Sequence, residues 1–120
     1  MGRSICRNPE GFLLENAEAL YGLVNIREVD TAVYAAVADD GLIIVDATAA
    51  PTTVTLPAVA DVQRGKRIIV KKSDVSVNAV TVDGNGAETV DGAANASLAG
   101  QYDFVEVVSD GAKWWVIAVG

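Results

Sequence analysis

The sequence predicts an all-β fold: a compact β-sandwich or small barrel that forms a knob over residues 31–120. A short N-terminal arm in residues 1–30 precedes this knob. Short runs rich in Val, Ile and Thr recur roughly every ten residues, as in sandwiches and barrels. Asp-Gly and Asn-Gly dipeptides separate several of these runs, and every element from Thr31 onward has a β pattern.

The stretch Arg64–Asp91 is predicted to be the hairpin around which the other strands are arranged. Its two β-branched runs are Arg67–Lys72 and Ala79–Asp83, and the polar segment Ser73–Asn78 joins them. Asp-Gly and Asn-Gly then supply the positive φ that a chain reversal needs. A third short run, Glu88–Val90, is expected after this reversal.

The other predicted strands are Thr31–Ala38, Leu42–Val45, Thr53–Leu56 and a weak strand near Ser97–Leu98. Leu42–Val45 is continuously apolar, which is expected of a strand covered on both faces. Tyr102–Ser109 and Lys113–Val119 form the clearest hairpin, because only Asp110-Gly111-Ala112 separates them.

Trp114 and Trp115 are adjacent within the last predicted strand, so their rings must point to opposite faces of the sheet. One indole is expected in the core of the knob. The other is expected at a subunit interface, because burying such a ring contributes on the order of 2–3 kcal/mol. The alternative is an indole that stays partly exposed to solvent.

The N-terminal arm contains one candidate helix, because Asn8-Pro9-Glu10 combines an N-cap residue, Pro at the first helical position and an acid in the first turn. The residues that follow with helical spacing are Leu13, Ala17, Leu20, Tyr21 and Val24. This helix either packs on its own domain or docks on a larger partner. The spacing alone leaves both alternatives open.

The formal net charge of −7 and the pI near 4.3 argue against nucleic acid as a partner. Most of the basic residues cluster in the central stretch and are expected to form a solvated face: Arg64, Lys66, Arg67, Lys71 and Lys72. No apolar run is long enough to span a bilayer, so no membrane partner is expected. The small Ala and Val side chains and the 6% aromatic content favour an oligomer.

No catalytic residue, metal ligand or cofactor is predicted. The chain has no His and only one Cys, Cys6, so an in-chain disulfide, a Cys/His zinc site and the usual nucleophilic triads are excluded. Asp83–Gly86 with Glu88 and Asp91 superficially resembles a calcium loop, but a turn is favoured because the twelfth position holds Ala94. Asp39-Asp40 is likewise interpreted as a turn. We therefore expect a protein that is not an enzyme.

Several turns and strands resemble a C-terminal β module of tailed-phage fibres, tailspikes and related virion proteins. The resemblance covers about Gly41 to Gly120 and rests on these segments: Leu56-Pro57, Gly65–Lys72, Asn78–Asp83, Glu88–Gly92, Ser109-Asp110-Gly111 and Trp114–Ile117. It implies a compact β domain that assembles as a homotrimer.

Only about forty residues precede this module, which is short for a tail fibre with a shaft. The chain therefore better resembles a capsid decoration protein, also called a cement protein or head spike. This resemblance implies that the trimer binds the major capsid protein on the virion surface, after synthesis in the host bacterial cytoplasm. The residues expected to bind the shell are Arg3, Ile5, Arg7, Phe12 and Leu13.

Two other functions stay open. A tail-fibre or receptor-binding tip would recognise host surface glycans through exposed aromatic residues. A small carbohydrate-active domain would need a pair of carboxylates about 5–10 Å apart, but sixteen acidic residues make some such pair inevitable, so its existence carries no weight.

Overall fold

A computed structural model of the chain describes residues 25–120. Within this range it is an all-β protein with nine strands and one short 3-10 turn, Val59–Asp61. The strands are β1 Asn25–Val29, β2 Val33–Ala35, β3 Asp40–Val45, β4 Thr52–Thr55, β5 Arg67–Lys72, β6 Val80–Asp83, β7 Asn95–Leu98, β8 Phe104–Ser109 and β9 Trp114–Val119. Within residues 25–120, no helix is long and apolar enough to cross a membrane.

The strands form two mixed sheets, and the chain passes back and forth between them. The larger sheet has the order β1-β3-β5-β8-β9, and the smaller sheet has the order β2-β4-β6-β7. The first six strands pair in parallel, with Leu42 opposite Ile69 in the larger sheet and Val54 opposite Val82 in the smaller one. The pairs β1/β2, β3/β4 and β5/β6 are therefore three successive coils of a stack, and β7, β8 and β9 complete it with antiparallel pairing.

The prediction that Arg67–Lys72 and Ala79–Asp83 form a hairpin is wrong. The two runs are strands β5 and β6, but they lie in different sheets: β5 pairs with β3 and β8, and β6 pairs with β4 and β7. The physical reason is the polar connection, since hairpin loops are usually two to five residues long and Ser73–Ala79 is longer. Glu88–Val90 is not a strand either, because Val90 makes only isolated bridges, to Ala93 and Trp114.

The predicted hairpin near the C-terminus is confirmed. Strands β8 and β9 pair antiparallel through the short connection 110–113, in which Gly111 has a φ of +93°. This positive φ is a conformation that glycine adopts without steric cost. A bulge between Glu106 and Val107 shifts the register along the pair.

The core lies between the two sheets and consists of the inward-facing residues of each strand. Alternation of buried and partly exposed residues along β5 and β6 shows this directly, since Ile68, Val70, Val80 and Val82 are fully buried. The rest of the core consists of Val29, Ala36, Ile43, Val45, Ala47, Val54, Leu56, Val90, Leu98, Val105, Val107 and Trp114. Small β-branched residues thus fill most of the space between the sheets.

The first coil, β1 and β2, places polar side chains at the end of the core. Arg27 and Tyr34 are in register with the buried Ile43 and Val54 of the second coil. Both bind the buried carboxylate of Asp40: Arg27 Nε lies 3.3 Å from Oδ1, and the Tyr34 hydroxyl donates to Oδ2 at 2.7 Å. Burial, and then the hydrogen bond to Asp40, raises the pKa of the Tyr34 hydroxyl. Strand β1, which precedes the predicted boundary at residues 30 and 31, thus belongs to the larger sheet.

Candidate interaction surface

The corner that joins β5 to β6 is bonded to the corner that joins β3 to β4. Ser73 donates its backbone N–H to the Val45 carbonyl at 2.8 Å. The Asn78 side-chain amide donates to the carbonyls of Ala47 and Thr48, at 2.8 and 3.2 Å. Stacked coils therefore hold each other at this corner through side chains as well as through their strand ladders.

A buried ion pair lies at the centre of this corner. Lys72 Nζ is 2.7 Å from Asp74 Oδ2, and both side chains are almost completely buried. The ammonium group also donates to the Asp74 carbonyl at 3.2 Å. The prediction that Lys72 belongs to a solvated basic face is therefore wrong, because its position in β5 alternates in phase with the buried Ile68 and Val70.

The Asp74 carboxylate is saturated with hydrogen bonds. Oδ1 accepts from the backbone N–H of Ala47 at 2.7 Å, and Oδ2 accepts from the backbone N–H of Ser76 at 3.0 Å and from its hydroxyl. Burial alone would raise the pKa of Asp74, but the hydrogen bonds from Lys72, Ser76 and Ala47 outweigh it and hold this pKa far below its ordinary value. Asp74 is thus an anion in the folded protein at neutral pH.

Val75 and Val77 alternate with these polar residues and point outward. Val75 is 78% exposed and Val77 is 96% exposed, although both lie in a corner that is firmly bonded on its inner side. We call the segment Ser73–Ala79, with these two side chains, the valine corner. Its two valine side chains project into solvent from a backbone that hydrogen bonds hold in place.

The tip of the β8–β9 hairpin presents the second tryptophan. Trp114 is fully buried, whereas Trp115 is 41% exposed, with Lys113 Nζ 5.0 Å from the centre of its ring. The indole Nε1 of Trp115 donates to Asp110 Oδ2 at 2.7 Å. This bond, with those from the N–H groups of Ala112 and Lys113, lowers the pKa of Asp110 to about 2. A contact of Trp115 with another subunit stays a prediction.

An apolar cleft of about 430 Å³ opens between β7 of the smaller sheet and the β8–β9 hairpin of the larger one. Its apolar lining consists of Ala96, Leu98, Phe104, Val105, Val116 and Val119. Two carboxylates also line it, and both are engaged: Asp91 Oδ1 accepts the Val116 N–H at 2.8 Å, and Asp103 Oδ2 accepts the Gly100 N–H at 2.8 Å. The cleft suits an apolar ligand or an apolar protein segment.

The residues that superficially resembled a calcium loop do not converge. The Glu88 carboxylate accepts the Val59 N–H at 3.1 Å, whereas Asp91 binds Val116 on strand β9. Asp83 lies in β6, and Gly86 makes a turn with a φ of +58°. Among residues 25–120, no group of three or more His, Cys, Asp or Glu side chains is arranged to hold a metal ion.

The predicted shell-binding residues Arg3, Ile5, Arg7, Phe12 and Leu13 lie outside the described residues, as does the candidate helix of the arm. The valine corner and the apolar cleft were not predicted from the sequence. A usable signal for the corner was present in Asp74-Val75-Ser76-Val77-Asn78, because strict alternation of polar and apolar residues allows either set to face inward.

Comparison with known proteins assigns no family: no protein-family model matches the chain, and no curated protein matches it.

Proposed function

We propose that this chain is a non-enzymatic structural protein of a phage virion. In this proposal it is a capsid decoration protein that binds the shell as a homotrimer. The observation that carries the proposal is the valine corner, where a buried ion pair holds two apolar side chains in water. A rigid body with a fixed apolar projection is suited to static contacts between proteins.

The mechanism is additive burial at several contacts. The arm residues Arg3, Ile5, Arg7, Phe12 and Leu13 bind the major capsid protein, and three arms on one trimer give avidity beyond any single contact. The acidic β knob faces solvent. The stacked coils support this role, because bonded corners and ladders resist deformation of the knob.

Purified virions and shells test the proposal. We expect hundreds of copies of the chain per virion, whereas a few copies would indicate a tail protein. Deletion of Met1–Asn8 should abolish binding to undecorated shells and leave a folded oligomer, with the intact chain as the matched control. Shell binding by the truncated chain would refute the role of the arm.

A second candidate, a tail-fibre or receptor-binding tip, is favoured by two observations. Within the part of the chain that the structure describes, β1 and β2 lie at the edges of their sheets, a position at which stacked-coil proteins add further coils. Trp115 also offers a half-exposed indole of the kind that stacks on sugars. Quenching of tryptophan fluorescence by host surface glycans in the intact protein, lost in Trp115→Ala, would favour this candidate over decoration.

A further inference from the structure

The valine corner reverses the usual arrangement of a surface loop. Asp74, Ser76 and Asn78 bind groups inside the protein, and Val75 and Val77 project into water. A single exposed valine needs no explanation. Here, however, two exposed valines share one corner, and the three polar side chains that alternate with them are held by hydrogen bonds. The inverted pattern indicates a contact surface.

The corner is also prepared for binding. The Asp74 carboxylate fixes the backbone on both sides of Val75, through Ala47 and Ser76. Asn78 fixes the segment after Val77 by its bonds to Ala47 and Thr48. Because these bonds already order the backbone, docking of the two valines costs little conformational entropy.

The same chain carries a complementary surface. The apolar cleft between β7 and the β8–β9 hairpin has a volume of about 430 Å³, which leaves room for two valine side chains. Each of the two carboxylates at the cleft accepts one backbone N–H group. The other lining side chains are mostly hydrocarbon, which is what an incoming apolar group would meet. The valine corner carries no uncompensated charge, because its only charged side chain, Asp74, is paired with the adjacent Lys72.

We propose that the valine corner of one copy docks in the apolar cleft of a second copy, and that this contact is the centre of the subunit interface. The inference rests on the homotrimer of the proposed function and names the surfaces that form it. Corner and cleft are different surfaces, so the contact is heterologous, and three such contacts can close into a ring. The exposed Ala49 and Pro51 of the neighbouring corner would lie at its rim.

Sedimentation of the full chain over a range of concentrations tests this contact. Val75→Ser/Val77→Ser removes the apolar projection, and Val33→Ser/Val37→Ser is the matched control, because it changes two exposed valines outside the corner and the cleft. We expect the corner variant to dissociate at concentrations roughly ten-fold or more above the wild type. The control should assemble like the wild type, and circular dichroism should show that all three proteins are folded.

A cleft variant makes the test specific. Val119→Glu places a charge on the apolar wall of the cleft and should block assembly as the corner variant does. An equimolar mixture of the corner and cleft variants should form dimers, since one intact corner can still meet one intact cleft. Such dimers would support the contact directly.

Three outcomes would overturn the inference, and they separate it from the proposed function. A corner variant that assembles like the wild type would refute the contact and leave the decoration role standing. A variant that assembles normally but no longer binds shells would assign the valines to the capsid protein. A wild-type chain that stays monomeric at high micromolar concentration would remove both the contact and the homotrimer.

Discussion

Lys72 and Asp74 form a buried ion pair, with Nζ 2.7 Å from Oδ2, two residues apart in the chain. The pair links the end of strand β5 to the corner that follows it. Through its other oxygen, Asp74 also holds the N–H of Ala47 in the preceding coil at 2.7 Å. One carboxylate therefore connects a strand, its own corner and the neighbouring corner of the stack.

Removing only one partner of this pair should be strongly destabilising. Asp74→Ala leaves a buried ammonium group without its anion, and such changes cost about 3–5 kcal/mol of unfolding free energy. The double variant Lys72→Met/Asp74→Asn should lose less stability than the single variant, because no buried charge remains at this site. Urea denaturation measures the free energy of unfolding of the wild type and of both variants.

The matched control for the ion pair is Asp46→Ala. Asp46 lies in the neighbouring corner, but its carboxylate is exposed and accepts from the hydroxyl and the N–H of Thr48. We expect little change in stability from this variant. Equal losses for Asp74→Ala and Asp46→Ala would show that the buried pair has no special weight.

Stability should fall in acid. The folded protein holds the pKa of Asp74 far below its ordinary value of 3.8 and that of Asp110 at about 2. As the pH falls below about 4, the unfolded chain takes up protons that the folded chain refuses, so the free energy of unfolding decreases. This stabilisation is fully present above the ordinary pKa and is lost as the pH falls through the folded values. Urea denaturation at several pH values should show that the free energy of unfolding decreases less between pH 7 and 2 for Asp74→Asn than for the wild type.

The two tryptophans should respond differently to truncation. Trp114→Ala opens a cavity in the core and should cost about 3–5 kcal/mol. Trp114→Phe should lower the free energy of unfolding by less. Within the described range the buried Nε1 of Trp114 has no hydrogen-bond partner, so its removal leaves no other polar group without a bond. Trp115→Ala should have a smaller effect on unfolding and should instead weaken assembly if Trp115 contacts another subunit. An equal drop in melting temperature for both alanine variants would contradict the packing of the two indoles on opposite faces of the sheet.

Local signals predicted the parts of the fold that depend on near neighbours. The β8–β9 hairpin follows from two apolar runs and a three-residue connection, Asp110–Ala112. The parallel coils could not be predicted in the same way, because the partner of each strand is distant in the chain, as Leu42 is from Ile69. Turn signals such as Asp83-Gly84 show where a strand ends, but they do not show which sheet the chain enters next.

Alternation predicted the environment of some side chains better than residue type did. Trp114 and Trp115 lie on opposite faces because they are neighbours in a strand. The same rule places Lys72 with Ile68 and Val70 on the buried face, although its charge favours solvent. The alternation pattern does not reveal the anion that stabilises the buried Lys72, because Asp74 lies beyond the end of strand β5.

Gly84 should tolerate no side chain. A Cβ at this position would lie 2.1 Å from the backbone carbonyl oxygen of Glu88, and backbone cannot move aside as a flexible side chain can. Gly84→Ala should therefore cost a few kcal/mol in urea denaturation. Gly86→Ala is the matched control in the same turn: its Cβ meets open space, so only the strain of a φ of +58° remains, at about 1–2 kcal/mol. A Gly84→Ala variant as stable as Gly86→Ala would refute the close approach.

Asp91 should protect the β9 edge of the larger sheet. Among the strands of residues 25–120, β9 is an edge strand, and it has no charged residue and no proline, a type that tends to pair with other chains. The segment 89–91, which precedes β7 in the chain, covers part of this edge. The Trp114 N–H donates to the Thr89 carbonyl, the Asp91 N–H donates to the Trp114 carbonyl, and the Asp91 carboxylate accepts the Val116 N–H at 2.8 Å.

Asp91→Gly is the sharpest test of this protection, because glycine accepts the φ of +53° at this position and removes only the carboxylate. We expect faster hydrogen exchange at the Val116 amide, a loss of about 1 kcal/mol in stability and faster aggregation on mild heating. Asp91→Asn, which keeps a side-chain oxygen for the Val116 N–H, is the matched control and should behave like the wild type. Unchanged exchange at Val116 in Asp91→Gly would mean that the turn backbone alone covers the edge.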